Sequence, residues 1–398
     1  MYPCLQFLRW WPLVPLVLLW LVGCTPLKIT LKNAPVNEHY TYFPNDTVQP
    51  ATQSFQFHWP ETRPWQSLVL DSLQFEYKGK KYHFAELARK GNNFVTLLIH
   101  RDTVKFAHFG EGFDRNSTVT TFSVAKAIVN TLVYCAIADG YIASDSVPIT
   151  DFLPELADND PNFRAVKLWH LLQMNHGLKL GTTRVAFYWE AVRLYYNSDL
   201  RKHALSLKTR EAPGRFFRYR NSSTQLLAIL LERATGKPLA EYFEQGLWQK
   251  MGTEGPLYWS KDQPGPAGIP KAFCCMNARA EDLAKYGRLY LKRGKFRGEQ
   301  VVPNIAVEHA YHQRFRMRGR PEYNAHWMRR DRVRDPILRV GGLYGQMLYL
   351  YPSEELIIVS FSDANPLRLT GWRKLDLQLL EKIAQRLSPE NIPYQERK

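Results

Sequence analysis

The sequence predicts an α/β (α+β) chain, with an antiparallel sheet flanked by helices and an all-helical lobe inserted between the strands. Three observations predict it. Phe94–His100 and Thr103–His108 are rich in β-branched and aromatic residues and flank Arg101-Asp102, the pattern of a hairpin. Tyr344–Tyr351 and Leu356–Phe361 repeat that pattern around Pro352–Glu355 near the other end of the chain. The sequence between the hairpins has mostly helical periodicity. Joining the two ends in one sheet gives an α/β lobe from residues 65–121 and 295–390. Residues 122–294 then form the helical lobe, and the cleft between lobes is where a site is expected.

In chain order, residues 1–23 read as a signal peptide. Arg9 precedes the apolar run Trp10–Gly23, which holds Pro12 and Pro15 and is short for a membrane span. Leu21-Val22-Gly23-Cys24 resembles the lipobox of bacterial lipoproteins. That resemblance implies cleavage before Cys24, lipidation of its thiol, and a place in the bacterial envelope, with Thr25 directing the protein to the periplasmic side of the outer membrane. Residues 24–64, with six prolines and little periodicity, read as a tether before a domain spanning 65–398.

The first hairpin leads through a loop to Phe122-Ser123-Val124-Ala125-Lys126, followed by the apolar helix Ala127–Ala138. A serine and a lysine three apart share a helix side. They can act as nucleophile and base if burial keeps the amine neutral, and the helix N-terminus favours a nearby oxyanion. The motif alone is weak, because Ser at a helix start is commonly a cap and a following Lys commonly reaches water. Downstream come a short helix over Val166–Met174 and a longer one over Ser222–Ala234, which closes at Gly236. A further helix spans Ala280–Leu291, and a C-terminal one Leu375–Leu387.

Composition narrows the function. The chain has 398 residues, 45% hydrophobic, which is enough for a large core. Its net charge of +16 reads as a solubilising surface, because no basic run interleaved with aromatics suggests a nucleic-acid partner. The densest patch, Arg314–Arg320 with Arg329–Arg334, could also face anionic headgroups or an acidic substrate. Five cysteines (Cys4, Cys24, Cys135, Cys274 and Cys275) imply no disulfide framework and fit no zinc site. No metal or cofactor motif is present.

Ahead of the Ser222 helix stands Pro213-Gly214-Arg215-Phe216-Phe217-Arg218-Tyr219-Arg220-Asn221, which contains Tyr219-x-Asn221. With Leu172–Leu178, Ala234–Lys237, Asn277–Ala284 and Gly342–Gln346, the chain resembles the serine β-lactamase-related family. The likeness is to the class C side, with its esterases, D-amino-acid peptidases and 6-aminohexanoate-dimer hydrolase, over most of residues 70–387. It implies the β-lactamase/transpeptidase-like fold and an acyl-enzyme on Ser123. It also implies Lys126 and Tyr219 as general base and acid, and Asn221 on the substrate amide. Tyr195-Tyr196-Asn197 fits Tyr-x-Asn too, but lacks the Pro-Gly turn and long helix.

The family's Lys-Thr-Gly or His-x-Gly does not follow Tyr219, and His108-Phe109-Gly110 precedes Ser123. Arg339-Val340-Gly341 is a possible substitute. Gly342-Leu343-Tyr344-Gly345 resembles the hairpin entry of the aminohexanoate-dimer hydrolase group, which implies an oxyanion-hole N–H at Leu343, next to Gly342. Asn277, with Cys274 and Cys275, is expected to line the pocket, and a packing role for the two cysteines stays open. The resemblance implies a serine hydrolase acting on an amide or ester of a small molecule or peptide, without cofactor. Two alternatives stay open: a D-alanyl peptidase or penicillin-binding-like enzyme on cell-wall peptides, and a catalytically silent relative that binds an envelope ligand.

Overall fold

The computed structural model describes residues 36–61, 74–77, 80–83, 93–179, 184–312, 323–330 and 336–363. The signal, the lipobox, most of the arginine-rich stretch and the Leu375–Leu387 helix lie outside them.

The main body starts at β1 (Asn45–Val48), followed by the hairpin β2 (Asn93–His100) and β3 (Thr103–Phe109) and the short β4 (Val119–Thr120). Both residues of the β2–β3 turn, Arg101 and Asp102, take positive φ, as a tight two-residue hairpin requires. Arg288 fastens that turn to the body through two bonds of 2.8 and 2.7 Å to the Asp102 carboxylate. The nucleophile-candidate turn leads into α1 (Ala125–Ala138), then come α2 (Leu168–Leu172), α3 (Arg184–Tyr195) and α4 (Asn221–Thr235). Gly236 caps α4 at φ 68°, the left-handed conformation in which a glycine has no Cβ penalty.

Strands β5 (Leu257–Ser260) and β6 (Met276–Ala278) precede α5 (Ala280–Leu291). The chain ends its described course with β7 (Tyr323–Asn324), β8 (Trp327–Arg330), β9 (Ile337–Gly341), β10 (Met347–Tyr351) and β11 (Leu356–Ser362). The seven-stranded sheet runs β7-β8-β9-β10-β11-β2-β3, antiparallel throughout. Leu356 faces His100 and Phe361 faces Val95, so the two hairpins meet inside one sheet, as the hairpin pattern predicts. Helix α5 covers this sheet at close range. A Cβ on Gly287 would meet the side-chain ends of Leu350 at 2.7 Å and Leu348 at 3.0 Å, so a larger residue there would push the leucines aside.

Three expectations are corrected. Residues 36–61 are not a free tether. Val36–Tyr42 form a 3₁₀ helix, β1 pairs with β5, and Val48 and Phe57 are buried. The prolines there break helices but leave the strand N–H groups of Asn45–Val48 intact. The helical lobe is not all helix, since its β5 and β6 join β1 and β4 in a second, four-stranded sheet, in the order β1-β5-β6-β4. Its strands are two to four residues long, too short to leave a period in the sequence. The second hairpin's first strand begins at Met347 rather than Tyr344, because Leu343–Gly345 turn with Tyr344 at φ 61°.

The burial of Phe57, which is 2% exposed, gives a direct test. Phe57→Ala should destabilise the protein by about 3–5 kcal/mol in chemical denaturation. The same change in a solvated tether would leave the midpoint where it is.

Candidate active site

Ser123 sits in a single 3₁₀ turn, Phe122–Val124, directly ahead of α1. Phe122 has φ 47°, a conformation uncommon for a bulky residue, and it turns the chain sharply before the serine. No side chain caps this helix start, so Ser123 is not there as an N-cap. Ser123 is half-buried, whereas Lys126 is fully buried. Lys126 Nζ lies 2.8 Å from Ser123 Oγ and 2.5 Å from the Phe273 carbonyl. Burial pulls the amine down to about 7, partly opposed by the charge of Glu190. A lysine left to reach water would show neither feature.

Tyr219 reaches the same place by another route. Arg218 N–H donates to the Met174 carbonyl at 2.7 Å, Arg220 N–H to the Met174 sulfur at 3.3 Å, and Gly214 N–H to the Asn175 carbonyl at 2.7 Å. The Pro213-Gly214 turn and the Leu172–Leu178 stretch thus hold each other, and the strand-like segment between turn and helix carries Tyr219 over the lysine. Lys126 Nζ lies 5.2 Å from the centre of the Tyr219 ring. The competing Tyr195 packs edge-on against Phe43, and its hydroxyl meets His39. Asn221, buried, opens α4 beside Ser222, whose N–H and hydroxyl donate to Glu190 Oε1 at 3.1 and 2.8 Å. Burial raises the Glu190 carboxyl above its ordinary range.

Gly342 stands against the turn that holds the serine. A Cβ there would lie 2.5 Å from the Thr121 carbonyl and 2.9 Å from the Phe122 Cβ. Its own N–H donates to the Gln346 carbonyl at 2.7 Å, and the Gln346 side chain bonds both the N–H and the carbonyl of Ser362. The half-buried Leu343 therefore sits on a loop pinned at both ends, next to Phe122-Ser123.

Asn277 is not a pocket residue. Its side chain is buried inside the four-stranded sheet. Oδ1 accepts from Thr120 at 2.5 Å, and Nδ2 donates to the Tyr258 and Cys275 carbonyls at 2.7 and 2.9 Å. It cross-links three strands and has nothing left to offer a substrate. The adjacent Cys274 and Cys275, for which the sequence implied no disulfide framework, are joined by a disulfide and are both buried. Sequence reasoning also missed the Phe273 carbonyl, Glu190 and His326. A carbonyl carries no residue signature, and the other two come together only through pairing of distant segments. Among the described residues no group of His, Cys, Asp or Glu is arranged to hold a metal ion.

A “Beta-lactamase” family model matches residues 84–380. This chain belongs to the β-lactamase family. The 6-aminohexanoate-dimer hydrolase of Paenarthrobacter ureafaciens is 25% identical over 310 residues, covering 73% of this chain and 78% of that one. A Bacillus anthracis structure described as a 6-aminohexanoate-dimer hydrolase superposes with a TM-score of 0.76 at 21% identity. The match covers 89% of this chain and 93% of that one. The octameric penicillin-binding protein homologue of Pyrococcus abyssi shares the fold at a TM-score of 0.58, 17% identity, and 77% of each chain. The β-lactamase/transpeptidase-like fold is thus the fold of this chain, and at family level it is a serine hydrolase.

The lysine makes a testable contribution to stability. An unfolded chain keeps the Lys126 proton up to about 10.5, whereas the folded chain releases it near 7. The folded state therefore carries a penalty that is constant below about 7 and fades as pH rises from 7 to 10.5. Lys126→Met should raise Tm below neutral pH, with the gain shrinking toward pH 10.5 in thermal melts across that range. A gain that does not vary with pH would show that the folded lysine titrates like a free one.

Proposed function

We propose that this chain is a lipid-anchored hydrolase of the cell envelope that cleaves an amide or ester bond of a small molecule or peptide through an acyl-enzyme on Ser123. The observation that carries this reading is the 2.8 Å contact between Ser123 Oγ and a fully buried lysine whose proton leaves near pH 7. Neutral Lys126, together with Tyr219, takes the Ser123 proton as Oγ attacks the substrate carbonyl. The carbonyl oxygen becomes an oxyanion, held by the Ser123 and Leu343 N–H groups, with Gly342 allowing the two to come close. The proton then passes through Tyr219 to the leaving amine or alcohol, and Asn221 holds the acyl-side amide. Water, deprotonated by the same pair, releases the acid and restores Ser123.

The similarity to 6-aminohexanoate-dimer hydrolase over most of both chains supports an amide of a simple amino acid ahead of a β-lactam. The absence of Lys-Thr-Gly after Tyr219 supports the same ordering. Cys24, at the end of the lipobox-like Leu21–Cys24, is the proposed site of lipidation.

A fluorophosphonate probe tests the central claim. The wild-type chain should take up one adduct by intact mass. Ser123→Ala should take up none, and Lys126→Met should react at least about a thousandfold more slowly. The labelling rate should climb as pH rises through about 7, where Lys126 becomes neutral. A folded wild-type protein that stays unlabelled beside a reactive control hydrolase would make the silent, ligand-binding alternative the better reading.

A further inference from the structure

The hairpin β7–β8 turns through only two residues, because Tyr323 pairs with Met328 and Asn324 with Trp327. Those two residues, Ala325 and His326, have φ of 47° and 72°. A turn of this kind is ordinarily filled by Asn and Gly, which adopt positive φ readily. Ala does so at a cost, and His is tolerated there less readily than glycine. The hairpin tip is nevertheless firmly held. Gln173 donates to Asn324 Oδ1 at 2.9 Å and accepts from the Ala325 N–H at 3.3 Å, and Asn324 donates to the His312 carbonyl at 2.8 Å.

The histidine held in this way points inward and is only 6% exposed. Its Nδ1 lies 2.8 Å from the hydroxyl of the buried Tyr323. The phenol can donate as well as accept, and we assign its proton to this bond. Burial and the nearby Lys126 keep the ring neutral. With Nδ1 accepting, the ring proton sits on Nε2. Among the described residues, no partner takes up that buried nitrogen. The ring stands edge-to-face with Tyr219 at 6.3 Å, and Tyr323 meets the same Tyr219 ring at 6.5 Å. Three groups thus surround Tyr219: Lys126 from α1, and Tyr323 and His326 from the hairpin.

We propose that His326 is a positioning residue of this active site, fixing the Tyr219 ring over Lys126 and presenting its Nε2–H as a ready donor for negative charge that develops on the Tyr219 oxygen. The inference rests on the assignment of Tyr219 as proton carrier. It gives a reason for a histidine at a turn position where glycine would fit. A buried donor without a partner is costly in the resting protein and useful at a site where charge appears during the reaction.

The test compares labelling rate and Tm in wild type, His326→Gly, His326→Gln, Tyr219→Phe and the Tyr219→Phe/His326→Gly double variant. Glycine relieves the turn but removes a buried ring and the partner of the Tyr323 hydroxyl, so His326→Gly should melt below wild type while staying folded. It should label Ser123 at least about tenfold more slowly. His326→Gln, whose amide nitrogen can fall where Nε2 does, should recover most of the rate. In the Tyr219→Phe background, His326→Gly should cause no further loss, because its effect passes through the phenol. Wild-type labelling by His326→Gly, or an equal loss with Tyr219 already removed, would overturn the proposal. Equal rate losses in the glycine and glutamine variants would assign a structural role and also overturn it. If the wild type itself does not label, the hydrolase reading falls first and this inference with it.

Discussion

The contact on which the site depends is that of a lysine amine enclosed between a serine hydroxyl and a main-chain carbonyl. Lys126 has no exposure to solvent, and its nitrogen meets Ser123 Oγ and the Phe273 oxygen. A buried ammonium is expensive unless its charge is balanced. Here the fold balances it only partly, with Glu190 as the opposing charge, itself raised by burial. The amine is left close to the point where it can exchange a proton at neutral pH. The surrounding structure serves this balance. The Phe122 turn aims the serine, α4 and its preceding segment bring Tyr219, and the loop from Gly342 to Gln346 closes the opposite side.

Much of this was legible in the sequence because it is local. Ser123 and Lys126 belong to one turn and its following helix, so their contact follows from helical spacing. The Tyr219 segment announced itself through a Pro-Gly turn and an uninterrupted helix ending in glycine. The two hairpins were visible because each pairs strands next to each other in the chain. The choice between Tyr219 and Tyr195 also came out of the sequence context, and the structure puts only Tyr219 over the lysine.

What was not legible depends on pairing between distant segments. Asn277 looked available to a substrate, but whether an amide is free or consumed is decided by its neighbours. Thr120 and Tyr258 reach it only once β4, β5 and β6 are assembled. The proline-rich stretch before residue 61 looked solvated because its one short strand finds its partner some two hundred residues later, in β5. The Cys274–Cys275 disulfide was missed because adjacent cysteines add no loop for a bond to close, and spacing was the signal being read. His326 is a single residue in a turn whose strain appears only as a backbone angle.

The seam between β2 and β11 has a consequence for how the molecule comes into being. These neighbouring strands, at residues 93–100 and 356–362, are both interior to the large sheet and are separated by nearly the whole domain. During synthesis the first hairpin emerges early and waits with an open edge until β11 leaves the ribosome. Until then neither the sheet nor the Gly342 wall beside Ser123 can exist. A chain of this connectivity matures late and all together. The nascent polypeptide therefore lacks the completed surroundings of Ser123 and Lys126 until the event that completes its fold.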